Sequence, residues 1–113
     1  MKIISLALGI LVPIISTTAN AEGVMVWGSG IVSCGSWTKE PKNTPARHQR
    51  EGWLLGFLSG YNWYAVNNQA LLLEDGNAFI TWVDNYCAAH PLGEIVSAAS
   101  ALIAELQRRN GLH

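Results

Sequence analysis

Charge is scarce in this chain. Seven Lys and Arg and eight Asp and Glu are spread over 113 residues, half of which are apolar. No basic excess is present, which argues against nucleic acid as a partner, since a phosphate backbone calls for a cationic face. No apolar run reaches the roughly 20 residues of a membrane span; the longest, residues 3–15, is interrupted by Ser5, Gly9 and Pro13. There is no Gly-rich phosphate loop, no Ser–His–Asp signature and no carboxylate pair with a reason to be perturbed. Glu74 and Asp75 stand side by side in a turn, where such residues are solvated caps. Nothing here implies a cofactor or an enzyme.

The start of the chain reads as an export signal. Lys2 gives a positive n-region, residues 3–15 the apolar run, and Ala19-Asn20-Ala21 a small-x-small cleavage site. The expectation is cleavage after Ala21, with residues 1–21 a signal peptide and 22–113 one helical domain that is periplasmic or secreted and off the membrane after processing. The rival reading is a retained anchor. Loss of Lys2 leaves six basic residues against eight acidic ones, a net charge of −2. The 92 residues that remain can hold one small core with a thin margin, so a covalent staple would matter.

Cys34 and Cys87 are the only cysteines. In an oxidising compartment they are expected to pair within the chain, and closing so long a loop stabilises by roughly 4 kcal/mol in the chain-entropy account. The alternatives are free thiols, an intermolecular bridge, or a metal site in which Cys87 and His90, three residues apart, join Cys34 and His48. A thiol enzyme using Cys87 and His90 is a further alternative, although an oxidised thiol cannot attack.

Residues 50–66 read as the central helix. At 100° per residue, Leu54, Phe57, Leu58, Tyr61 and Ala65 share one arc, with Trp53 and Tyr64 at its edge. Gly52, Gly56 and Gly60 line the opposite side beside Trp63, and Glu51, Ser59 and Asn62 are the only polar cover. A helix apolar nearly all round is expected to be buried on more than one side. Each helical glycine costs roughly 1 kcal/mol relative to alanine, which implies close approach of another backbone along that line. The helix is therefore expected between neighbours, with Gly52, Gly56, Gly60, Trp63 and Tyr64 as a contact surface for a second copy or another protein; the plainer reading of the aromatics is core filling.

Around it, residues 22–32 read as an extended arm laying Trp27 on the helices. Ser33 caps a short helix from Cys34 that places Trp37 beside the disulfide, and Thr44-Pro45 opens the central helix. Residues 70–73 are a connector whose leucines close over the core. Residues 77–89 form a helix capped by Asp75, with Phe79, Ile80, Val83, Tyr86, Cys87 and His90 recurring on one face and Asp84 and Asn85 facing out. His90 caps its end, and His48 and His113 look exposed. Pro91 is expected in the first turn of a last helix that carries Ile95, Val96, Ala99, Leu102, Ile103 and Leu106 on one face and stops at Gly111. Glu94 in its first turn and Arg108 and Arg109 in its last suit the helix dipole. The fold class is all-α: a small disulfide-stapled bundle of three main helices plus a short N-terminal one.

Three stretches carry a resemblance: Cys34-Gly35-Ser36-Trp37, Gly56-Phe57-Leu58-Ser59-Gly60-Tyr61, and Trp82 through Tyr86-Cys87-Ala88-Ala89-His90-Pro91 with the small-residue helix after it. Their layout resembles the HdeA/HdeB-type periplasmic acid-stress chaperones. It is also similar to periplasmic immunity proteins that neutralise type VI secretion peptidoglycan amidases. The resemblance implies a non-enzymatic protein that binds a protein partner or client, or forms a homodimer. For an inhibitor, residues 38–47 and 67–76 are the candidate protruding loops. The chain departs from the chaperones in having few carboxylates, on which their acid switch depends.

Overall fold

In a computed structural model of the chain, the described residues are 9–11, 13, 24–65 and 75–111. They form a single 3-10 turn over Gly28–Ile31 and four helices: α1 (Cys34–Lys39), α2 (Pro45–Tyr64), α3 (Gly76–Ala89) and α4 (Ile95–Arg109). The all-α expectation holds, and no strand occurs among the described residues; Ser33 and Glu94 make one isolated antiparallel bridge. The core is built from Trp37, Leu54, Leu58, Phe79, Val83, Ile95, Ala98, Ala99, Leu102, Ile103 and Leu106 around the Cys34–Cys87 disulfide, whose Cα atoms are 4.7 Å apart.

The helix ends follow local chemistry. Ser33 Oγ accepts from the Ser36 amide, Thr44 Oγ1 from that of Arg47, and Asp75 from that of Asn77, so three of the four α-helices start on a side-chain cap. Pro45 sits at the start of α2, where a missing N–H does no harm. Gly111, at φ +68°, ends α4 in the left-handed region open to glycine.

Helix α1 has only six residues, too few to persist alone. Its free amides and carbonyls are met from elsewhere. The amides of Cys34 and Gly35 donate to the carbonyls of Gly93 (2.7 Å) and Pro91 (3.1 Å). At the other end, Arg50 and Arg47 donate to the carbonyls of Ser36 (2.7 Å) and Trp37 (2.9 Å), cations placed where the helix dipole is negative.

Several expectations need correction. Pro91 does not open α4: residues 91–93 form a tight turn and the helix starts at Ile95, so Glu94 is its cap position and not part of its first turn. The arm is not simply extended, and Trp27 does not pack, being 75% exposed. Trp53 packs instead. Its indole donates to the Trp27 carbonyl (2.7 Å), and its ring lies against Gly28 (φ +76°) and Gly30, where a Cβ would run into it. Ala98, read as part of no face, is fully buried. The leucine connector lies outside the described residues, and the signal peptide and the domain boundary at residue 22 lie almost wholly outside them.

Candidate functional site

The glycine line is the candidate read from sequence, and all five of its residues are in view. Gly52, Gly56 and Gly60 are exposed, and a Cβ added to any of them would meet no described residue within 4 Å. Trp63 and Tyr64, at the C-terminal end of α2, are 84% and 81% exposed. Among the described residues, then, α2 has neighbours on one side only, and the expectation that it lies between neighbours is not met there. Leu54 and Leu58 are buried, Trp53, Leu55, Phe57 and Tyr61 are half-buried, and the glycine side faces solvent. Over-apolar composition misled because the apolar side chains cluster on the covered arc while the far side is apolar by having no side chains. The result is a strip of bare backbone with two uncovered aromatic rings at one end.

The two cysteines and His90 come together without a reactive thiol. Cys34 and Cys87 are bonded to each other and fully buried. His90 is exposed rather than on the packed face, and its ring stacks on Tyr86 at 4.1 Å. His90 Nδ1 lies 2.8 Å from the Tyr86 carbonyl, so in the neutral ring this nitrogen donates and Nε2 is left as an acceptor. Tyr86 in turn stacks on Trp82. His48 is exposed on α2, and no three His, Cys, Asp or Glu side chains converge as metal ligands among the described residues.

Sequence reading missed the principal polar feature. Arg47 is 2% exposed, its guanidinium stacked 4.1 Å above the Trp37 ring. Its Nε donates to Glu51 (2.8 Å), one terminal nitrogen to the Trp37 carbonyl, and the other to Asp84. Asp84, expected to face out, also accepts from Trp37 Nε1 (2.7 Å) and has Lys42 Nζ at 3.5 Å. Burial works to raise its pKa, but the hydrogen bonds from Arg47 and Trp37 and the charges of Arg47 and Lys42 outweigh it. The carboxyl is held below its ordinary 3.8. An open cleft of about 180 Å³ beside the knot is lined by Thr38, Glu40, Lys42, Arg47 and Asp84. The candidate inhibitor loop at 38–47 therefore ends in the most buried charge described, Arg47 in the first turn of α2, while Thr38, Lys39, Pro41, Lys42 and Asn43 before it are exposed. Only the Arg47–Glu51 spacing of four was available as a signal, and it does not reveal Trp37 or Asp84.

Geometry defines the class: a disulfide-stapled helical bundle with an internal arginine knot, an open glycine strip and an uncovered pair of aromatic rings. The chain matches no protein-family model, no curated protein and no solved structure.

Proposed function

We propose that this is a non-enzymatic protein, exported through the leader at residues 1–21, that works by binding other proteins, with the glycine side of α2 as its contact surface. The observation that carries the reading is the pairing of that open strip with Trp63 and Tyr64, which are exposed at its end. Three glycines on one face weaken an isolated helix, and nothing among the described residues uses the space they leave. A second backbone lying along them would use it, and the two rings are of the kind that dominate protein contacts. The occupant is a second copy or a client held by the dimer, in the manner that the resemblance to acid-stress chaperones implies. Supporting the reading over a thiol enzyme is the bonding of both thiols, which leaves Cys87 without the thiolate that such an enzyme would need.

A second reading is an inhibitor of a secreted cell-wall amidase, as the other resemblance implies. It requires a protruding element. In the 38–47 stretch Thr38, Lys39, Pro41, Lys42 and Asn43 are exposed, and 67–76 lies almost entirely outside the described residues.

The test is the mass of the processed protein in solution and its suppression of client aggregation from neutral to acid pH. A dimer, or a client effect that is lost in Gly56→Leu, supports the reading. A monomer with no client effect at any pH removes the chaperone version.

A further inference from the structure

The cleft beside the arginine knot is lined by groups that the knot does not use up. Every side chain lining it is polar: Thr38 and Glu40 at the end of α1, Lys42 in the loop that follows, Arg47 in α2 and Asp84 in α3. Its volume of about 180 Å³ is many times the space one water needs. Asp84 spends one oxygen on the knot, Oδ1 accepting from both Trp37 Nε1 and Arg47. Near the other, Oδ2, the described residues place only the Lys42 ammonium, at 3.5 Å, which is long for a hydrogen bond. The Lys42 side chain is itself 76% exposed. An arginine has five N–H donors, and the bonds of Arg47 to described residues use three of them. Glu40 is steadied by Thr44 (3.2 Å) and Arg50 (3.5 Å), and Thr38 adds an exposed hydroxyl.

We propose that this cleft binds the zwitterionic head of an α-amino acid. The ligand's ammonium donates to Asp84 Oδ2 and Glu40, and its carboxylate accepts from Lys42 and the unspent N–H groups of Arg47. Charge selects this class. The lining carries two positive and two negative side chains. A phosphate would face Glu40 and Asp84, and a metal cation would face Lys42 and Arg47, so only a ligand of both signs is drawn by all four. Asp84 is ionised at neutral pH, its carboxyl being held below 3.8. Spacing then selects the α-amino acid. Lys42 Nζ and Asp84 Oδ2 stand 3.5 Å apart. The ammonium nitrogen and a carboxylate oxygen of an α-amino acid stand about 3 Å apart, set by one N–Cα, one Cα–C and one C–O bond. A longer spacer carries the two charges past that match. Bound there, the ligand ties α1, its following loop, α2 and α3 together, and it raises the melting temperature by mass action. Arg47 lies on the buried side of α2 with Leu54 and Leu58, away from the glycine side, so this proposal and the protein-binding reading can fail separately.

The test follows the backbone amide NMR shifts of the processed protein during titration with L-alanine. Three controls are run beside it: propionate, which lacks the ammonium; ethylammonium, which lacks the carboxylate; and γ-aminobutyrate, which separates the two. L-alanine is expected to give saturable shifts at Thr38, Glu40, Lys42 and Asp84 in the millimolar range, with each control weaker by about tenfold or more. Lys42→Met and Thr38→Val are expected to weaken L-alanine binding, the first by about tenfold, whereas Lys42→Arg stays within a few-fold of the wild type. Thr38 and Lys42 are exposed, so these variants should melt with the wild type in the absence of ligand. Failure of L-alanine to saturate by about 100 mM would overturn the proposal. So would equal binding of propionate, ethylammonium or γ-aminobutyrate, or undiminished binding by Lys42→Met.

Discussion

Deleting the Asp84 carboxylate strands the Arg47 guanidinium inside the protein. A buried charge that loses its partner costs several kcal/mol. Here Glu51 remains bonded and Asp84 is itself partly solvated, so Asp84→Ala is expected to destabilise by about 2–3 kcal/mol, read as a lower urea midpoint at unchanged slope. Arg47→Met should cost less. It replaces a buried cation by an apolar chain of similar reach over Trp37, and it leaves Asp84 with Trp37 Nε1 and Lys42. The same carboxyl sets a pH dependence. Its folded pKa lies below the unfolded value, so the stability it contributes is present above about pH 4 and is lost as pH falls through the folded pKa. Glu105, held at about 2 by hydrogen bonds from Arg108 and Arg109, shifts in the same direction, but at the surface, where solvent screens the effect. Urea midpoints between pH 2 and 7 should therefore fall on the acid side, and more shallowly in Asp84→Ala.

At the scale of elements, α1 tests how far borrowed caps can support a helix of one and a half turns. Ser33→Ala removes the acceptor for the Ser36 amide, and Arg50→Ala the donor to the Ser36 carbonyl. Each is expected to cost about 1 kcal/mol. Helix α2 gives the opposite sign. Gly52, Gly56 and Gly60 have open space where a Cβ would go, so alanine at all three should stabilise the single chain by about 2–3 kcal/mol. The same methyl groups would hold a second backbone away, so stability should rise while association weakens. The element boundaries were largely legible in sequence because they rest on local chemistry: Ser33, Thr44, Asp75 and Gly111 act where their types suggest. Pro91 misled because the turn at 91–93 serves α1 through its carbonyls, a partnership 56 residues away in sequence from Gly35 to Pro91 that no local pattern records. The one-sided burial of α2 was illegible for a related reason. A row of glycines scores as apolar whether it is packed or bare, and only the contacts distinguish the two cases.

For the molecule as a whole, the disulfide closes a loop with a sequence separation of 53 and joins α1 to α3 at the centre of the core. The chain-entropy account gives about 4 kcal/mol for such a loop, a large share of what a domain this size can have. Cys34→Ser with Cys87→Ser, or reduction in urea, should lower the unfolding midpoint accordingly. The turn at 91–93, whose Gly93 carbonyl accepts from the Cys34 amide, should then lose amide-exchange protection earlier than α4. The candidate surface was legible in its residues but not in its setting: Gly52, Gly56, Gly60, Trp63 and Tyr64 are all exposed, yet no second helix among the described residues lies on them. The functional account therefore depends on a companion from outside. The most direct measurement is the mass of the processed protein by sedimentation equilibrium from micromolar to millimolar concentration, with Gly56→Leu beside it. The account predicts a mass that rises to twice that of the chain for the wild type and stays at one chain for the variant. Wild type and variant that are both monomeric throughout, and that hold an aggregating client equally well, would contradict it.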